Sequence, residues 1–378
     1  MTSPSGTPRA TERLRSSRAR RHRDGVDLIG HLNLARGFRG GERQTQLLVE
    51  GLAQWGLHQR LIVRANEPLA SRVRSVESVQ VSEQNGSLLR AARACRGCSL
   101  IHVHDGRSVH AASLAHALYR VPYVITRRVD NPIRSNWLTR RAYRRAACVA
   151  VLSGAIEKQV RRVAPAANCL RVPDAASAFR HHKANVERLR KRYKDRFIVG
   201  HIGALDHAHK GQQDLFAAAR ELAITHPKIL FLLLGAGKDE ATFRAQTADL
   251  ANVELVGHVD NVGDYLAVFD AFAFPSLHEG MGSTLLDAMD FGLPVVATRV
   301  GGIVDLITDD DNGLLVAPAN PDQLRFAIAR LHDEPALAAR LAGAGRQFVQ
   351  EFTPEKMVNR YLETYQPLIG TETILEQL

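Results

Sequence analysis

Short apolar runs alternate with amphipathic stretches along most of this chain. Runs such as VDLIGHLNL, RLIVRA, SLIHVHD, PYVITR and CVAVLS are typical of buried strands. Stretches such as SVHAASLAHALYR, with helical spacing of their apolar positions, lie between most of them. This alternation predicts an α/β fold with a parallel, doubly wound sheet.

The alternation is interrupted once and then restarts. The segment RHHKANVERLRKRYKDR is highly charged and predicts a linker with a surface helix, after which FIVGHIGAL, ILFLLLGAG, AFAFPS and PVVATRV read as further strands. Two such units in tandem place a cleft between them, which the carboxyl ends of the strands face. We expect a basic tail, a first domain, a linker, a second domain, and a C-terminal helix with a tail, over residues 1–25, 26–175, 176–196, 197–352 and 353–378.

Charge is concentrated at the N-terminus. The chain has 378 residues and a net charge of +11, of which seven arginines against two acids place +5 in residues 1–25. This segment has almost no apolar content, so we expect a disordered tail that is either a solvated extension without a role or is attracted to an anionic surface. It holds no aromatic residue for base stacking, which favours lipid headgroups over nucleic acid. Without a membrane-spanning or signal-peptide run, the expected location is cytoplasmic, peripheral at the inner face of the cell membrane.

Residues 274–307, FPSLHEGMGSTLLDAMDFGLPVVATRVGGIVDLI, are the most informative stretch. An apolar strand passes into a glycine-containing loop, and a helix is predicted to begin near Ser283. Helix N-termini favour phosphate, so the first amides of this helix predict an anion site. Glu279 and Asp287 bracket that site, where carboxylates suit sugar hydroxyls. The alternative is an ordinary helix cap beside a solvated acid.

These residues resemble the family-4 retaining glycosyltransferases, also called group 1. The resemblance rests on a Glu-x7-Glu motif, here Glu279 to Asp287, and on GLPVVATRVGGIVDLI and DNGLLVAPANPDQL. It implies the GT-B fold, in which two Rossmann-like, doubly wound parallel-sheet domains face a cleft. In the family the first acid binds donor-sugar hydroxyls and the second, a glutamate shortened to Asp287 here, binds the ribose. The donor-binding set so implied is Gly280, Met281, Gly282, Ser283, Thr284, Leu285 and Asp287.

The resemblance also implies catalytic roles for two basic side chains. Lys210 in ALDHAHKGQQDL matches the lysine that neutralises the donor diphosphate, and His104 in IHVHDGRS matches a strand-end histidine near the donor sugar. An arginine common in the family is absent, because Ala204 occupies its position, and His207 or His209 could substitute. From the residues alone, Lys210 would be an exposed helix-start lysine and His104 a structural histidine.

Two further elements complete the predicted site. Gly40 and Gly41 in RGGERQ resemble the family's glycine loop, although a tight strand-to-helix turn is the alternative. Arg127 and Arg128 follow the strand PYVITR, where they could bind an anionic acceptor or assist the diphosphate, or form a solvated basic loop.

The sequence therefore predicts a retaining glycosyltransferase that moves a sugar from a nucleotide-sugar donor to a hydroxyl of a glycan or glycolipid acceptor. The resemblance favours bacterial lipopolysaccharide or other cell-surface glycan synthesis, and no cofactor or metal is expected. The alternatives are a GT-B sugar-nucleotide epimerase or phosphorylase, a non-catalytic nucleotide-sugar binding protein, and a nucleic-acid-binding protein driven by the basic tail.

Overall fold

A computed structural model describes residues 27–369, which form two parallel β-sheets flanked by helices. The first sheet has seven strands in the order β3-β2-β1-β4-β5-β6-β7. Its strands are β1 Leu28–Asn33, β2 His58–Arg64, β3 Val79–Gln84, β4 Leu100–Val103, β5 Tyr123–Arg127, β6 Cys148–Val151 and β7 Cys169–Arg171. The helices between them are α1 Gly40–Gln54, α2 Pro68–Val73, α3 Leu88–Ala94, α4 Ser108–Tyr119, α5 Trp137–Arg145 and α6 Gly154–Val163.

The second sheet follows a charged connecting helix, α7 Lys183–Arg192, and has six strands in the order β10-β9-β8-β11-β12-β13. These are β8 Phe197–Ile202, β9 Ile229–Leu234, β10 Val253–Gly257, β11 Ala271–Phe274, β12 Val295–Thr298 and β13 Leu314–Val316. The α-helices that accompany them are α8 His207–Lys210, α9 Gln212–Thr225, α10 Glu240–Gln246, α11 Val262–Leu266, α12 Ser283–Asp290, α13 Pro321–Asp333 and α14 Pro335–Phe348, with 3-10 turns at Ile303–Asp305 and Val349–Phe352.

Neighbouring strands pair in parallel throughout both sheets over the described residues. The six residues of β9, ILFLLL, are all buried, as expected for a strand covered on both faces. The predicted pair of doubly wound parallel-sheet domains is confirmed. In each sheet the strand order reverses beside the first strand, between β1 and β4 and between β8 and β11, and such a reversal opens a crevice at the carboxyl ends of the strands.

The last helix crosses back to the first domain. This helix, α15 Pro354–Tyr365, begins after Thr353, whose side chain accepts a hydrogen bond from the Lys356 amide. Its apolar residues share a core with residues of α1 and of the first sheet. Helix α15, which follows the second domain in sequence, therefore completes the core of the first domain. The buried residues that meet there include Leu48, Leu52, Val358, Tyr361 and Leu362.

The N-terminal basic tail predicted over residues 1–25 lies outside the described residues, as does the end of the predicted C-terminal tail. Within residues 27–369 there is no helix that combines the length and the hydropathy needed to cross a bilayer.

Candidate active site

Lys210 and Glu279 form an ion pair at the centre of the cleft-facing edge of the second sheet. Lys210 ends α8, and Gly211 follows with φ +63°. A Cβ atom on Gly211 would lie 2.0 Å from the Pro275 carbonyl oxygen, so glycine allows α8 to pack against the loop after β11. This packing places Lys210 Nζ 2.5 Å from Glu279 Oε2. The two predicted residues, far apart in sequence, are brought together.

The loop that carries Glu279 is held by hydrogen bonds to its carbonyl oxygens from both domains. The Gly302 amide donates to the Glu279 carbonyl at 3.1 Å, and the Ser153 hydroxyl of the first domain donates to the Gly280 carbonyl at 2.7 Å. A Cβ atom on Gly280 would lie 2.1 Å from the Arg128 carbonyl oxygen. Gly280, predicted as a donor-binding residue, is thus required to be glycine by the approach of the opposite domain, while Met281 is buried in the core.

The helix after this loop begins at Ser283, as predicted, and Gly282 precedes it with φ +92°. The Leu285 amide donates to the Gly282 carbonyl at 2.8 Å and is therefore already used within the first turn. Among the described residues, no hydrogen-bond acceptor is found for the Ser283 and Thr284 amides. These two amides, on half-buried residues, are the ones that a phosphate could bind.

A second helix N-terminus lies opposite, since α1 begins at Gly40. A Cβ atom on Gly40 would lie 3.7 Å from Ser283 Oγ, and one on Gly41 would lie 3.6 Å from Arg128 Cδ. The first turns of α1 and α12 therefore meet across the cleft beside a guanidinium group. Two helix N-termini and a cation at one place favour a bound anion.

Asp287 was expected to be open to a ligand, but the structure places it elsewhere. It is buried, with its Oδ1 accepting from the Ser177 amide at 2.6 Å and its Oδ2 lying 3.3 Å from the Ser177 hydroxyl. Burial raises the pKa of Asp287 to about 7, although the hydrogen bonds from Ser177 and the Arg43 charge favour the carboxylate. In this arrangement Asp287 fixes the start of the linker to the second domain, and its predicted contact with a ribose requires that Ser177 move away.

His104 follows β4 at the cleft edge, as predicted, but it is buried. Burial lowers the pKa of His104 well below its ordinary value, and the nearby His102 and Arg128 lower it further. Arg128 Nη1 lies 3.4 Å from His104 Nδ1, and His31 Nδ1 lies 3.0 Å from His104 Nε2. Because a guanidinium can only donate, Nδ1 of the neutral His104 imidazole accepts. The ring proton is therefore on Nε2, which donates a hydrogen bond to His31 Nδ1.

His31, His102 and His104 form a cluster in which one ring nitrogen from each residue lies within 4.8 Å of the others. Both nitrogens of His102 are engaged by hydroxyl groups, with Thr126 at 2.6 Å and Tyr365 at 2.6 Å. The Arg128 guanidinium beside His104 also opposes a second cation. This cluster therefore suits neutral, hydrogen-bonded histidines and not a metal ion.

The two arginines after β5 differ in their surroundings. Arg128 is buried and its Nε lies 3.1 Å from Asp174 Oδ1. Although burial disfavours the charged form, Asp174 raises the pKa of Arg128 above its ordinary value. Arg127 is half-buried and donates to the Asn131 carbonyl at 2.7 Å. Of the predicted pair, only Arg128 contacts His104 and Gly41.

Three residues of this region were missed by sequence reasoning: Arg43, Asp174 and Ser177. Arg43 donates to the Ser177 carbonyl at 2.7 Å and lies close enough to Asp287 to favour its charged form. The only available signal was the position of Arg43 in RGGERQ, one helical turn after Gly40. His209, considered as a substitute cation, pairs with Asp206 at 3.2 Å.

Family models cover most of the chain. The model described as "Glycosyl transferase 4-like domain" matches residues 39–175, and the model described as "Glycosyl transferases group 1" matches residues 196–334. The chain belongs to the group 1 glycosyltransferases. Its glycosyltransferase activity and GT-B fold, both predicted from the sequence, are thereby confirmed.

Relatives of this group 1 glycosyltransferase are named for different biosynthetic roles. The 2-deoxystreptamine glucosyltransferase of Streptomyces kanamyceticus is 28% identical over 358 residues, which cover 83% of this chain and 90% of that enzyme. The lipopolysaccharide core biosynthesis glycosyltransferase LpsE of Rhizobium meliloti (strain 1021) is 30% identical over 158 residues, 41% of this chain and 45% of LpsE. Anabaena Alr3699/HepE, solved in complex with UDP-glucose, has a similar fold with a TM-score of 0.80 at 19% identity, covering 90% of this chain and 99% of that one.

Proposed function

We propose that this group 1 glycosyltransferase is a retaining enzyme that moves a sugar from a nucleotide-sugar donor to a hydroxyl of a glycan or glycolipid. The observation that carries the proposal is the Lys210–Glu279 pair beside two facing helix N-termini. A cation and free amides suit a diphosphate, and a carboxylate held next to them suits the hydroxyls of the attached sugar. The complex of Anabaena Alr3699/HepE with UDP-glucose supports a donor of this class.

In the proposed reaction the donor diphosphate gains negative charge as the bond to the sugar breaks. Lys210 and the Ser283 and Thr284 amides stabilise that charge, and positioned donors of this kind contribute more in a cleft shielded from water. Arg128, fixed by Asp174 next to Gly41, supplies the second cation in place of the arginine missing at Ala204.

The side chains support transfer on one face of the sugar, with the leaving diphosphate accepting the acceptor's proton. A covalent mechanism needs two free carboxylates flanking the scissile bond. Glu279 is paired with Lys210, and Asp287 is buried against Ser177. Neutral His104, with both ring nitrogens engaged, contributes hydrogen bonding and orientation and not proton transfer.

The charge of the first domain bears on the acceptor. 2-Deoxystreptamine, the acceptor in the name of one relative, carries amines that are protonated at neutral pH. Arg127 and Arg128 oppose such a cation and favour a neutral or anionic acceptor. This supports an acceptor of the lipopolysaccharide or cell-surface glycan class, as in the name of LpsE, reached at the inner face of the membrane with help from the basic tail.

The proposal is tested by transfer assays after the donor has been found by thermal shift against UDP-, GDP-, ADP- and CMP-sugars, because a bound ligand raises the melting temperature. We expect Glu279→Gln and Lys210→Ala each to lower kcat/KM on the order of 100-fold, since each removes an interaction with the reacting donor. The assay measures nucleoside diphosphate released in the presence of acceptor. Lys228→Ala, which removes an exposed lysine of the same domain, is the matched control.

Unchanged turnover in either site variant would contradict the assignment. Donor binding without turnover across an acceptor panel would instead indicate a non-catalytic nucleotide-sugar binding protein. Conversion of the donor without any acceptor would indicate an epimerase.

A further inference from the structure

The first turn of α5 exposes two large apolar side chains. Trp137 is 70% exposed and Leu138 is 51% exposed. The Asn136 side chain caps the helix by accepting from the Thr139 amide at 2.9 Å, which fixes both residues in the first turn. Exposed tryptophan next to leucine is unusual on a surface that faces only water.

The same segment carries an arginine cluster without counter-charges. Residues 131–156 contain no aspartate or glutamate and five arginines: Arg134, Arg140, Arg141, Arg144 and Arg145. Within residues 27–369, none of these five guanidinium groups forms an ion pair with a carboxylate. Arg140 donates to the Ser135 hydroxyl at 2.9 Å, and the cluster keeps its full positive charge.

The apolar and basic residues share one face of the helix. Thr139, Ala142 and Tyr143 are buried against the first domain. At 100° per residue, Trp137, Arg141 and Arg144 lie on the opposite side. The outward face of α5 therefore combines an apolar tip at its N-terminal end with arginines along the following two turns.

Other surfaces within residues 27–369 lack an exposed aromatic side chain beside unpaired arginines. The connecting helix α7 is also basic, but Arg192 pairs with Glu254 at 2.7 Å and no large apolar side chain of α7 is among the exposed ones. Ile224 and Phe326 of the second domain are exposed, and the arginine beside Phe326 pairs with Asp322. Helix α3 also joins an exposed leucine, Leu89, to arginines without ion pairs, but it exposes no aromatic side chain. Within the described part of the chain, only α5 joins an exposed aromatic side chain to arginines that form no ion pair.

We propose that the outward face of α5 is a docking surface for an anionic phospholipid bilayer. Tryptophan partitions to the interface between headgroups and acyl chains, and arginines beside it bind lipid phosphates. The loop from Arg127 leads directly into α5, so the apolar tip lies at the cleft-facing edge of the first sheet. Docking there would hold the cleft against the membrane surface, where a lipid-linked acceptor could enter.

Vesicle co-sedimentation of the full chain tests the surface. We expect binding to phosphatidylcholine vesicles that contain phosphatidylglycerol, and little binding to phosphatidylcholine alone. Trp137→Ala/Leu138→Ala and Arg140→Glu/Arg144→Glu should each weaken binding by about tenfold, since both the apolar and the electrostatic contributions are needed. Ile224→Ala/Phe326→Ala and Arg188→Glu/Lys191→Glu are the matched apolar and basic controls, and they should bind as the unchanged chain does.

Tryptophan fluorescence gives a second readout, which reports how deeply Trp137 enters the bilayer. The chain has two tryptophans, so Trp55→Phe leaves Trp137 as the sole emitter. Its emission should shift to the blue on anionic vesicles and be quenched by brominated acyl chains. Emission that stays unchanged while the protein sediments with vesicles would overturn insertion of this tip.

Sedimentation of the α5 variants equal to that of the unchanged chain would also overturn the proposal, because the basic tail would then suffice. Binding to duplex DNA but not to anionic vesicles, lost in the arginine variants, would overturn it in favour of a nucleic-acid surface. Turnover with a soluble acceptor is measured in parallel. The α5 variants should keep it, so a failure of membrane docking is distinguished from a failure of the proposed transferase function.

Discussion

Arg128 is buried between the Asp174 carboxylate and the His104 imidazole, and its Cδ lies under the first turn of α1. Burial raises the pKa of Asp174 even with Arg128 beside it. A buried carboxylate without its cation strongly destabilises a folded protein. Arg128 and Asp174 therefore stabilise the fold chiefly because each compensates the buried charge of the other. The same contact holds the guanidinium where the proposed diphosphate would lie.

We therefore expect Arg128→Ala to lower the free energy of unfolding by about 3 kcal/mol, because Asp174 is left buried and unpaired. Urea unfolding followed by circular dichroism measures the change. Arg134→Ala, which removes an exposed arginine from the same domain, should change stability by under about 0.5 kcal/mol.

The double variant Arg128→Met/Asp174→Leu removes both charges together. It should be less destabilised than Arg128→Ala, since no buried charge remains. Equal stability of Arg128→Ala and the unchanged chain would refute the pairing.

Individual residues of the candidate site differ in how far sequence predicts them. Lys210 and Glu279 belong to local motifs, and so both were predicted, but nothing local indicates that their side chains touch. Asp174 and Ser177 have no motif around them, because their roles come from contacts with distant segments. The burial of Asp287 is likewise a property of the domain contact and not of its helix.

For helices α1 and α15, too, the local sequence predicts the helix itself but not the contact that the helix makes. The Thr353 cap, the proline after it and the apolar spacing predict α15, and the apolar face of ERQTQLLVEGLAQWGL predicts a helix that in the structure begins earlier, at Gly40. The packing of α15 on α1, a helix of the first domain, depends instead on how closely their surfaces fit. A Cβ atom on Gly51 would lie 2.4 Å from Val358 Cγ2, so the two helices approach closely only because position 51 has no side chain.

We expect Gly51→Ala to destabilise the protein by about 1–3 kcal/mol, because the added methyl group overpacks this contact. Val358 branches at Cβ, so its methyl group cannot swing away easily. Thermal unfolding of the variant measures the loss.

Gly51→Ala/Val358→Ala restores the space. It should recover part of the stability, helped by the higher helix propensity of alanine. A double variant less stable than either single variant would show that the contact is not the cause.

At the scale of the whole molecule, the two domains touch across the cleft at several points. The Ser177 amide donates a hydrogen bond to Asp287, and the Ser153 hydroxyl donates one to the Gly280 carbonyl. The Gly154 amide donates to Asp305 at 2.8 Å. In the proposed function, a donor that reaches Asp287 must first separate Ser177 from it. Domain opening and donor binding are then linked at one carboxyl group.

This link predicts a pH dependence. The pKa of Asp287, ordinarily 3.8, is raised by burial to about 7 in the closed arrangement. The folded chain thus holds a proton that the unfolded chain releases between about pH 4 and pH 7, and the stability contributed by this group falls as pH rises through that window. The loss is complete above the folded pKa and amounts to at most roughly 4 kcal/mol.

Asp287→Asn should remove this slope, because the amide does not titrate while its oxygen still accepts from the Ser177 amide. Melting temperatures of both chains across the same pH series measure the difference. Parallel pH profiles would show that Asp287 does not titrate in this window. Asp290→Asn, next to the same helix end but half-buried, serves as the control.

The return of α15 to the first domain has a consequence for how the protein is made. Translation delivers the first sheet and its helices well before α15 leaves the ribosome, so their apolar face stays uncovered while the whole second domain is synthesised. The first domain can finish folding only after α15 has emerged from the ribosome. A nascent chain of this enzyme therefore presents an unfinished core while the second domain is made, which is the kind of surface that chaperones bind.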